Sequence, residues 1–298
     1  MVDIQTAKQN FINRQTAIDD RLTSFSSNYE SWIASLPGDI IPLVILMLDH
    51  FDYYSHTDAN TMLQQLHQKL LSEECEEDNA LYTYIKKKKG IISSSVDYWG
   101  EYRTQNRINK NFCTDDIDAL PQQDWELIEN IVIIDDCCGT GGSLEKFIKN
   151  STKDFSGKTI YYLVLHALED AQNTLAQIES KYAVIVKLIA INIRKKASST
   201  ICETAPEEVR QKISQASSEL QIHESYHLGK DNSEGLMAFY NNTPNNTIGL
   251  FWFKAENYSP IFPRDFGAKP KWRPSINQMS GARKQRKESN YMAVKKNG

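Results

Sequence analysis

The sequence predicts an α/β protein built around a parallel β-sheet, and three observations support this fold class. Residues 131–134 are an uninterrupted apolar run, Ile-Val-Ile-Ile, which is typical of a strand buried on both faces of a parallel sheet. A glycine-rich turn and a helix-forming segment follow this run directly. Two further strand-like segments, 159–166 and 183–193, alternate with the helical segment 169–182, as in right-handed βαβ units.

The N-terminal part of the chain is predicted to be helical. Residues 1–36 carry apolar side chains on roughly one helical face, and a Pro-Gly-Asp segment then breaks the pattern. A second helix is expected over 42–51, because proline is favoured in a first helical turn. A third is expected over 58–71, with Thr57 or Asp58 as its N-cap.

Less regular patterns lie on either side of the alternating segment. Short β-like runs at 81–85 and 91–96 precede it. After it, 205–227 has the pattern of a helix with a proline near its start, and 236–240 and 248–253 have that of strands. A polar Asn/Thr/Pro cluster between these last two runs predicts a turn.

Length and charge predict one α/β domain with an extension at each end. We divide the 298 residues into a helical N-terminal extension, 1–72, an α/β domain, 73–262, and a basic, proline-containing tail, 263–298. From Arg264 onward ten Lys or Arg stand against two Asp or Glu, whereas the residues before it are net acidic by twelve. Such a tail can bind nucleic acid or a protein partner, or serve only as a solubilising surface. Homo-oligomer formation is left open.

Cysteine usage and the N-terminus predict a cytoplasmic protein. The five cysteines are an odd number and form no C-x-x-C pair, which favours reduced thiols. The first residues lack the basic-then-apolar pattern of a secretory signal. The longest apolar run, 40–48, contains a proline and is too short to cross a bilayer, so we expect no membrane association.

Residues 135–143, Asp-Asp-Cys-Cys-Gly-Thr-Gly-Gly-Ser, combine two kinds of ligand group. The glycines let backbone N–H groups close around a phosphate, and the start of the following helix adds its dipole and unpaired donors. Thr140 and Ser143 add hydroxyl donors. Asp135 and Asp136 stand at the carboxyl end of the strand, where ligands bind in open α/β sheets. Because carboxylates repel phosphate, they suit sugar hydroxyls or a metal carried by the ligand, so a ribose 5-phosphate satisfies both halves of the loop.

The stretch IVIIDDCCGTGGS resembles the phosphoribosyl pyrophosphate-binding motif of the type I phosphoribosyltransferases. The resemblance implies a phosphoribosyltransferase-like parallel-sheet fold, with Asp135 and Asp136 holding the ribose hydroxyls and 139–143 cradling the 5′-phosphate. The substrate-binding residues predicted in the loop, besides the two aspartates, are Cys137, Cys138, Gly139, Thr140, Gly141, Gly142 and Ser143. The sequence departs from the family pattern at the two cysteines, where Val or Leu is usual, and at Gly139, where Thr is common.

The resemblance is narrower to a divergent branch of this fold found in bacterial conflict and anti-phage systems. The motif of that branch typically reads Asp-Asp-x-x-Gly-Thr-Gly, and segments 93–106 and 243–252 also look similar. The resemblance implies a base pocket formed from four further side chains, which are Tyr240, Asn245, Asn246 and Trp252. It also implies a role in defence, with nucleotide metabolism as the target.

Other nucleotide-binding motifs fit the loop less well. S-adenosylmethionine-dependent methyltransferases carry Asp-x-Gly-x-Gly-x-Gly after a strand, and this loop lacks only the first glycine. That class also needs an acidic residue about twenty positions on, whereas the first acid after the next strand is Glu169. The dinucleotide pattern Gly-x-Gly-x-x-Gly fails at Leu144, and a Walker loop fails for lack of Gly-Lys-Ser/Thr. A methyltransferase stays an alternative, as does a purely structural turn.

Catalysis by a phosphoribosyltransferase needs cations beside the departing diphosphate, because negative charge develops there. We predict Arg103 as a catalytic residue, and Arg107 and Lys110 as diphosphate ligands in a mobile loop after the 91–96 run. A solvated surface is the alternative interpretation of all three residues. The basic run 86–89 is a second candidate for the same task.

Two histidine positions have simpler alternatives to a functional role. His166, at the end of the second strand, is either a ligand contact or a strand-end residue with its hydrogen bonds satisfied. His223 and His227 have the spacing of a metal pair, but the sequence offers no evident third ligand.

The sequence therefore predicts Mg²⁺-dependent transfer of phosphoribose from phosphoribosyl pyrophosphate to a nitrogenous acceptor, with release of diphosphate. Asp135 and Asp136 are the predicted catalytic carboxylates and approach the metal through the ligand. The main alternative is a non-catalytic sensor that binds a phosphoribosyl compound or nucleotide and contacts nucleic acid or a partner protein through its tail.

Overall fold

The computed structural model describes residues 3–73, 75–86 and 93–264. The part of the chain up to Arg264 forms one compact unit. It contains helices and parallel strands, which confirms the predicted α/β class. The basic tail lies almost wholly outside the described residues, so its binding role and the domain boundaries stay predictions.

The N-terminal part contains four helices and one short strand. These are α1 Ile4–Asn13, α2 Asp20–Ser35, α3 Ile41–Asp49, β1 Asp52–Tyr54 and α4 His56–Ser72. The prediction of one helix over 1–36 is wrong, because the Asp19 carboxylate accepts the Leu22 N–H and starts a new helix there. The predicted cap of α4 is also wrong: Ser55 caps it, in a reciprocal capping box with Asp58.

The central part of the chain carries the alternation that the sequence predicts. Its elements are β2 Ala80–Tyr84, α5 Ser95–Gln105, α6 Gln122–Leu127, β3 Asn130–Cys138, α7 Gly142–Asn150, β4 Thr159–Leu168, α8 Ala171–Tyr182 and β5 Ile185–Arg194. The predicted strand over 91–96 is wrong where it can be compared, since Ser95 begins α5. Residues 91–92 lie outside the described part.

The last elements are short apart from one helix. They are α9 Ala197–Ile201, α10 Pro206–Glu219, β6 Met237–Phe239 and α11 Gly249–Trp252. The predicted helix over 205–227 therefore ends early, and the predicted strand over 248–253 is wrong because its residues form α11. None of the described helices is both long and apolar enough to cross a membrane.

Two sheets are formed, and every strand pairing in them is parallel. The larger sheet has the order β2-β3-β4-β5, and the smaller one pairs β1 with β6. β2 ends at Tyr84, opposite Ile134, whereas β3 runs on to Cys138 beside β4. Within the described residues, the last four residues of β3 therefore have no strand partner on the β2 side, at the carboxyl edge of the sheet.

The larger sheet is buried on both faces, as the apolar run of β3 predicts. Ile131 and Ile133 pack in the layer of α7 and α8, and Val132 and Ile134 in the layer of α4 and α5. A third apolar cluster joins α1, α2 and α3 to α10, α11 and the segment up to Phe262. The N-terminal helices are thus part of the same compact unit.

Candidate functional site

Asp135 lies at the open end of β3 and is held by the protein itself. Ser95 Oγ donates to its Oδ1 at 2.6 Å, and Tyr162 Oη donates to its Oδ2 at 2.8 Å. The Asp136 N–H also donates to Oδ1, at 2.9 Å. Burial, and next the charge of Asp136, raise the pKa of the Asp135 carboxyl well above its ordinary value. Asp135 therefore links β3 to α5 and β4.

The hydrogen bonds of Asp136 differ from those of Asp135. Both aspartates line a cleft at the carboxyl edge of the sheet, and the Asp136 Oδ1 accepts the Cys137 N–H at 2.8 Å. Within the described residues, no backbone N–H or hydroxyl donates to its Oδ2. Of the two predicted carboxylates, Asp136 is the one with acceptor capacity left for a ligand.

The two cysteines point into opposite layers of the core. Cys137 packs with Leu163 in the α4/α5 layer, and Cys138 packs with Leu144 in the α7/α8 layer. Burial raises the pKa of both thiols, to about 12 for Cys138. Protonated, buried thiols behave as small apolar groups, so these residues hold the loop in place. Cys137 also lines the cleft.

The glycine-rich loop turns directly into α7. Gly141 is the N-cap with a φ of +75°, a left-handed conformation that favours glycine, and the helix begins at Gly142. The predicted cap, Ser143, instead lies inside the first turn. The first N–H groups of a helix have no partner within it, so those of α7 are available to an anion. Ser143 lines the cleft with Asp136.

The cleft between these groups is small. Its volume is about 70 Å³, whereas sites for drug-sized ligands have about 300–1,000 Å³. Its lining consists of Ile85 directly after β2, the three serines before and at the start of α5, the end of β3, Ser143 in α7, Arg264 and four residues of the segment 242–246. The loop residues 139–142 are not part of this lining. A phosphoribosyl ligand therefore needs part of the lining to move outward.

The segment 242–246 closes the cleft from the side opposite β3. Thr243 Oγ1 donates to the Phe262 carbonyl at 2.9 Å, and Arg21 Nη2 donates to Thr243 Oγ1 at 2.9 Å. The Asn245 carbonyl accepts the Lys230 N–H at 2.7 Å. This wall is fixed from behind by three parts of the chain that are distant in sequence.

Arg264 is the one cationic side chain among the described residues that line the cleft. Its guanidinium donates to the Thr243 carbonyl at 3.2 Å and lies 5.9 Å from the centre of the Trp252 ring. Burial lowers the pKa of Arg264, and the nearby Asp136 carboxylate opposes this shift. The charge pattern of the sequence places this residue in the basic tail, and no local pattern distinguishes it.

The structure does not bring the three predicted cations to the cleft. Arg103 lies in α5 eight residues after Ser95, which at 1.5 Å per residue is about 12 Å along the helix. Its guanidinium lies 4.5 Å from the centre of the Trp99 ring. Arg107 and Lys110 are exposed beyond the end of α5. None of the three lines the cleft in this structure, because α5 begins at the site and runs away from it, so their roles in catalysis and diphosphate binding stay predictions.

The remaining predicted groups have structural partners. Lys86 pairs with Asp116 at 2.9 Å, and residues 87–89 lie outside the described part. His166 is buried, its Nδ1 lies 2.8 Å from Tyr54 Oη, and burial lowers its pKa to about 4, so it is neutral at pH 7. Trp252 is buried, and its Nε1 donates to the Thr247 carbonyl at 2.6 Å, which makes it part of the core.

The histidine pair is also used locally. His223 Nδ1 accepts the Ser225 N–H at 3.3 Å, and His227 Nε2 lies 2.9 Å from the Ile222 carbonyl. Within residues 3–73, 75–86 and 93–264, no cluster of three or more His, Cys, Asp or Glu side chains is arranged to hold a metal ion.

Magnesium fits this site only as an ion carried by the ligand. Mg²⁺ commonly binds one or two carboxylates together with substrate phosphates and water. The oxygens of Asp135 are occupied by protein donors, whereas Asp136 has one oxygen without such a donor. Asp136 can therefore supply the single protein carboxylate that such an ion needs.

The parallel sheet, the paired aspartates and the glycine loop that opens α7 define a protein of the phosphoribosyltransferase type. The PRTase-CE family model matches residues 29–264, and the chain belongs to this phosphoribosyltransferase-type family. No curated protein and no solved structure matches the chain.

Proposed function

We propose that the protein binds phosphoribosyl pyrophosphate at this cleft. The observation that carries the proposal is that one cleft is lined by the Asp136 carboxylate at the end of β3 and by Ser143 at the start of α7. The loop 139–143 supplies backbone and hydroxyl donors for the 5′-phosphate. The Asp136 carboxylate accepts hydrogen bonds from the ribose hydroxyls.

Asp135 acts in this proposal as a positioning residue. Its oxygens are occupied by Ser95, Tyr162 and the Asp136 N–H, so it orients the end of β3. Direct contact with the ribose is assigned to Asp136 alone. The sequence pattern assigns the same role to both residues, whereas their hydrogen bonds favour a different role for each.

We propose that the reaction is phosphoribosyl transfer to a nitrogenous acceptor. The bond between ribose C1 and the diphosphate oxygen breaks, its electron pair leaves with the diphosphate, and the acceptor nitrogen bonds to C1. Positive charge develops on the ribose ring, and the departing diphosphate needs cations. Arg264 lines the cleft and supports this step, and a Mg²⁺ ion carried by the diphosphate supplies the remaining charge.

Calorimetric titration tests the binding proposal. We expect wild type to bind phosphoribosyl pyrophosphate with Mg²⁺ and not S-adenosylmethionine. Asp136→Asn replaces the charged acceptor of the ribose hydroxyls by a neutral amide, and a hydrogen bond to a charged group contributes about 1.5–3 kcal/mol, so we expect a loss of about tenfold or more. Lys212→Gln, an exposed residue of α10 outside the cleft, serves as the control and should bind as wild type. Binding of S-adenosylmethionine instead would contradict the proposal.

A non-catalytic sensor is the second candidate function, and one observation favours it. The described part of the cleft lining holds a single cation, Arg264, whereas transfer needs cations beside the departing diphosphate. Diphosphate release measured across a panel of nitrogenous bases separates the candidates. Turnover that is lost in Asp136→Asn supports transfer, whereas binding without turnover supports the sensor.

We also propose a role in anti-phage defence, on the sequence resemblance described above. Plating efficiency of a phage panel on bacteria that produce wild type or Asp136→Asn tests it. We expect protection by wild type that the variant loses. Equal plating on wild type, Asp136→Asn and empty-vector cells would contradict the defence role without affecting the binding proposal.

A further inference from the structure

The Asn246 carboxamide lies so close to Gly139 that a residue with a Cβ atom at position 139 would clash with it. A Cβ atom placed on Gly139 would overlap Asn246 Nδ2, and it would lie 2.5 Å from Asn246 Cγ and 3.1 Å from Cβ. The carboxamide therefore occupies the space that a side chain at position 139 would fill. Residue 139 must be glycine for this amide to reach the loop.

The carboxamide of Asn246 is not used within the protein. Its backbone carbonyl accepts hydrogen bonds, but its side chain makes none with the described residues. Asn246 also lines the cleft, together with Asp136 and Ser143. A half-buried amide with two unused N–H donors thus lies directly on the loop that turns into α7.

The backbone of Asn246 is fixed by a strained segment. Its carbonyl accepts the Gly235 N–H at 2.9 Å and the Ser233 hydroxyl at 2.8 Å. Three non-glycine residues beside these donors, Asp231, Asn232 and Glu234, have φ between +53° and +56°. Such conformations cost about 1–3 kcal/mol each and gather where structure serves a site.

A buried ion pair holds this strained segment in place. The Glu234 carboxylate accepts hydrogen bonds from Arg210 Nε at 2.6 Å and from the Ser198 N–H at 3.0 Å. Glu234 is almost fully buried, so moving this segment away from Arg210 and Ser198 would leave a buried charge without its partners. The side chain of Asn246 is therefore presented to the loop from a backbone that cannot easily withdraw.

We propose that Asn246 is a ligand-contacting residue whose amide N–H groups complete the 5′-phosphate cradle formed by 139–143. This proposal rests on the proposed phosphoribosyl site and adds a donor that is distant from the loop in sequence. A phosphate seated on the loop meets backbone donors from α7 on one side and the Asn246 amide on the other. Because this contact is made to the 5′-phosphate, it contributes to the binding of every ligand that contains ribose 5-phosphate.

Binding of ribose 5-phosphate and of phosphoribosyl pyrophosphate, measured by calorimetry, tests the proposal. We expect Asn246→Ala to weaken both ligands by the same factor, roughly tenfold to hundredfold, as for a lost hydrogen bond to a charged group. Asn28→Ala, an exposed asparagine in α2, is the matched control and should bind as wild type. If wild type binds neither ligand, the site proposal itself fails. If wild type binds and Asn246→Ala binds equally well, only the Asn246 proposal fails.

Gly139→Ala supplies a second variant with a different physical basis. Its Cβ meets chiefly the carboxamide of Asn246, so we expect the protein to fold while the amide is displaced. Affinity should fall about as far as in Asn246→Ala, and the double variant should lose little more. Additive losses in the double variant would show that Asn246 acts elsewhere. A loss for phosphoribosyl pyrophosphate without one for ribose 5-phosphate would also overturn the proposal.

Discussion

Asp135 and Asp136 show how neighbouring residues of one type acquire different roles. The side chains of a strand alternate between its two faces, so adjacent aspartates meet different surroundings. Both line the cleft, but Asp135 accepts the hydroxyls of Ser95 and Tyr162, whereas Asp136 Oδ1 accepts only the Cys137 N–H among the described backbone and hydroxyl donors. The sequence predicts that both carboxylates stand at the site. It does not predict which one is occupied, because Ser95 and Tyr162 come from separate elements.

The stability of Asp135→Asn relative to that of wild type should increase as pH rises. The raised pKa means that the folded protein keeps a proton on Asp135 at pH values where the unfolded chain has lost it. Wild type therefore loses stability as pH rises above the unfolded value of about 4, whereas the asparagine variant lacks this titration. Melting temperatures of both proteins from pH 4 to pH 8 measure the difference. A difference in melting temperature that shrinks as pH rises would contradict the raised pKa of the Asp135 carboxyl.

The β3–α7 connection is the element on which the site depends. β3 and β4 are predicted from the sequence because strands buried on both faces of a sheet are predominantly apolar. β5 is predicted from the alternation of strands and helices, since it is only partly buried. The predictions over 91–96 and 248–253 are wrong because short apolar runs occur in buried helices as well as in strands. Residues such as Leu250 and Phe251 are fully buried in α11, and burial alone accounts for their apolar character.

Gly141→Ala should destabilise the protein by about 1–2 kcal/mol, the cost of a left-handed conformation for a residue with a side chain. Its φ is +75°, and a Cβ atom would also lie 3.0 Å from Thr174. Gly100→Ala in α5 is the matched control. Its Cβ meets nothing within 4 Å, so we expect a gain of about 0.5–1 kcal/mol. Chemical denaturation measures the free energy of unfolding of both variants. Equal changes in the two variants would contradict a strained backbone at Gly141.

Across the whole molecule, the N-terminal helices and the end of the described chain share one aromatic cluster. Phe11 lies 4.5 Å from Phe25 and 5.9 Å from Phe262 between ring centres, and Phe51 stacks on Phe262 at 5.2 Å. The family match begins at residue 29, so α1 lies outside it although Phe11 is buried in the common core. We infer that α1, through the contact of Phe11 with Phe262, stabilises the segment that carries Arg264 to the cleft.

Phe11→Ala should therefore lower the free energy of unfolding by about 3–5 kcal/mol, the usual cost of truncating a buried phenylalanine. Ile18→Ala is the control, because this side chain is 60% exposed and should change stability by about 0.5 kcal/mol or less. Urea denaturation measures both. A Phe11 effect no larger than that of Ile18 would show that α1 packs only loosely.

The closed shape of the cleft is the feature that the sequence predicts least. Asp136 and the glycine loop are contiguous and follow a recognisable strand, so their position can be predicted. Asn246 and Arg264 reach the same cleft from about 100 residues or more along the chain, through contacts with Gly139 and Thr243. No local periodicity encodes such contacts, since they depend on how α11 and the segment after it pack.

The central claim is that a ribose 5-phosphate group sits on the loop 139–143 beside Asp136. Backbone amide chemical shifts of ¹⁵N-labelled protein, followed during titration with ribose 5-phosphate, test it most directly. We predict that the largest shifts fall on Gly139, Gly141, Gly142 and Ser143, and that ribose without phosphate leaves them unchanged. Saturable shifts elsewhere with an unperturbed loop would contradict the claim, as would no response of the loop to ribose 5-phosphate or phosphoribosyl pyrophosphate.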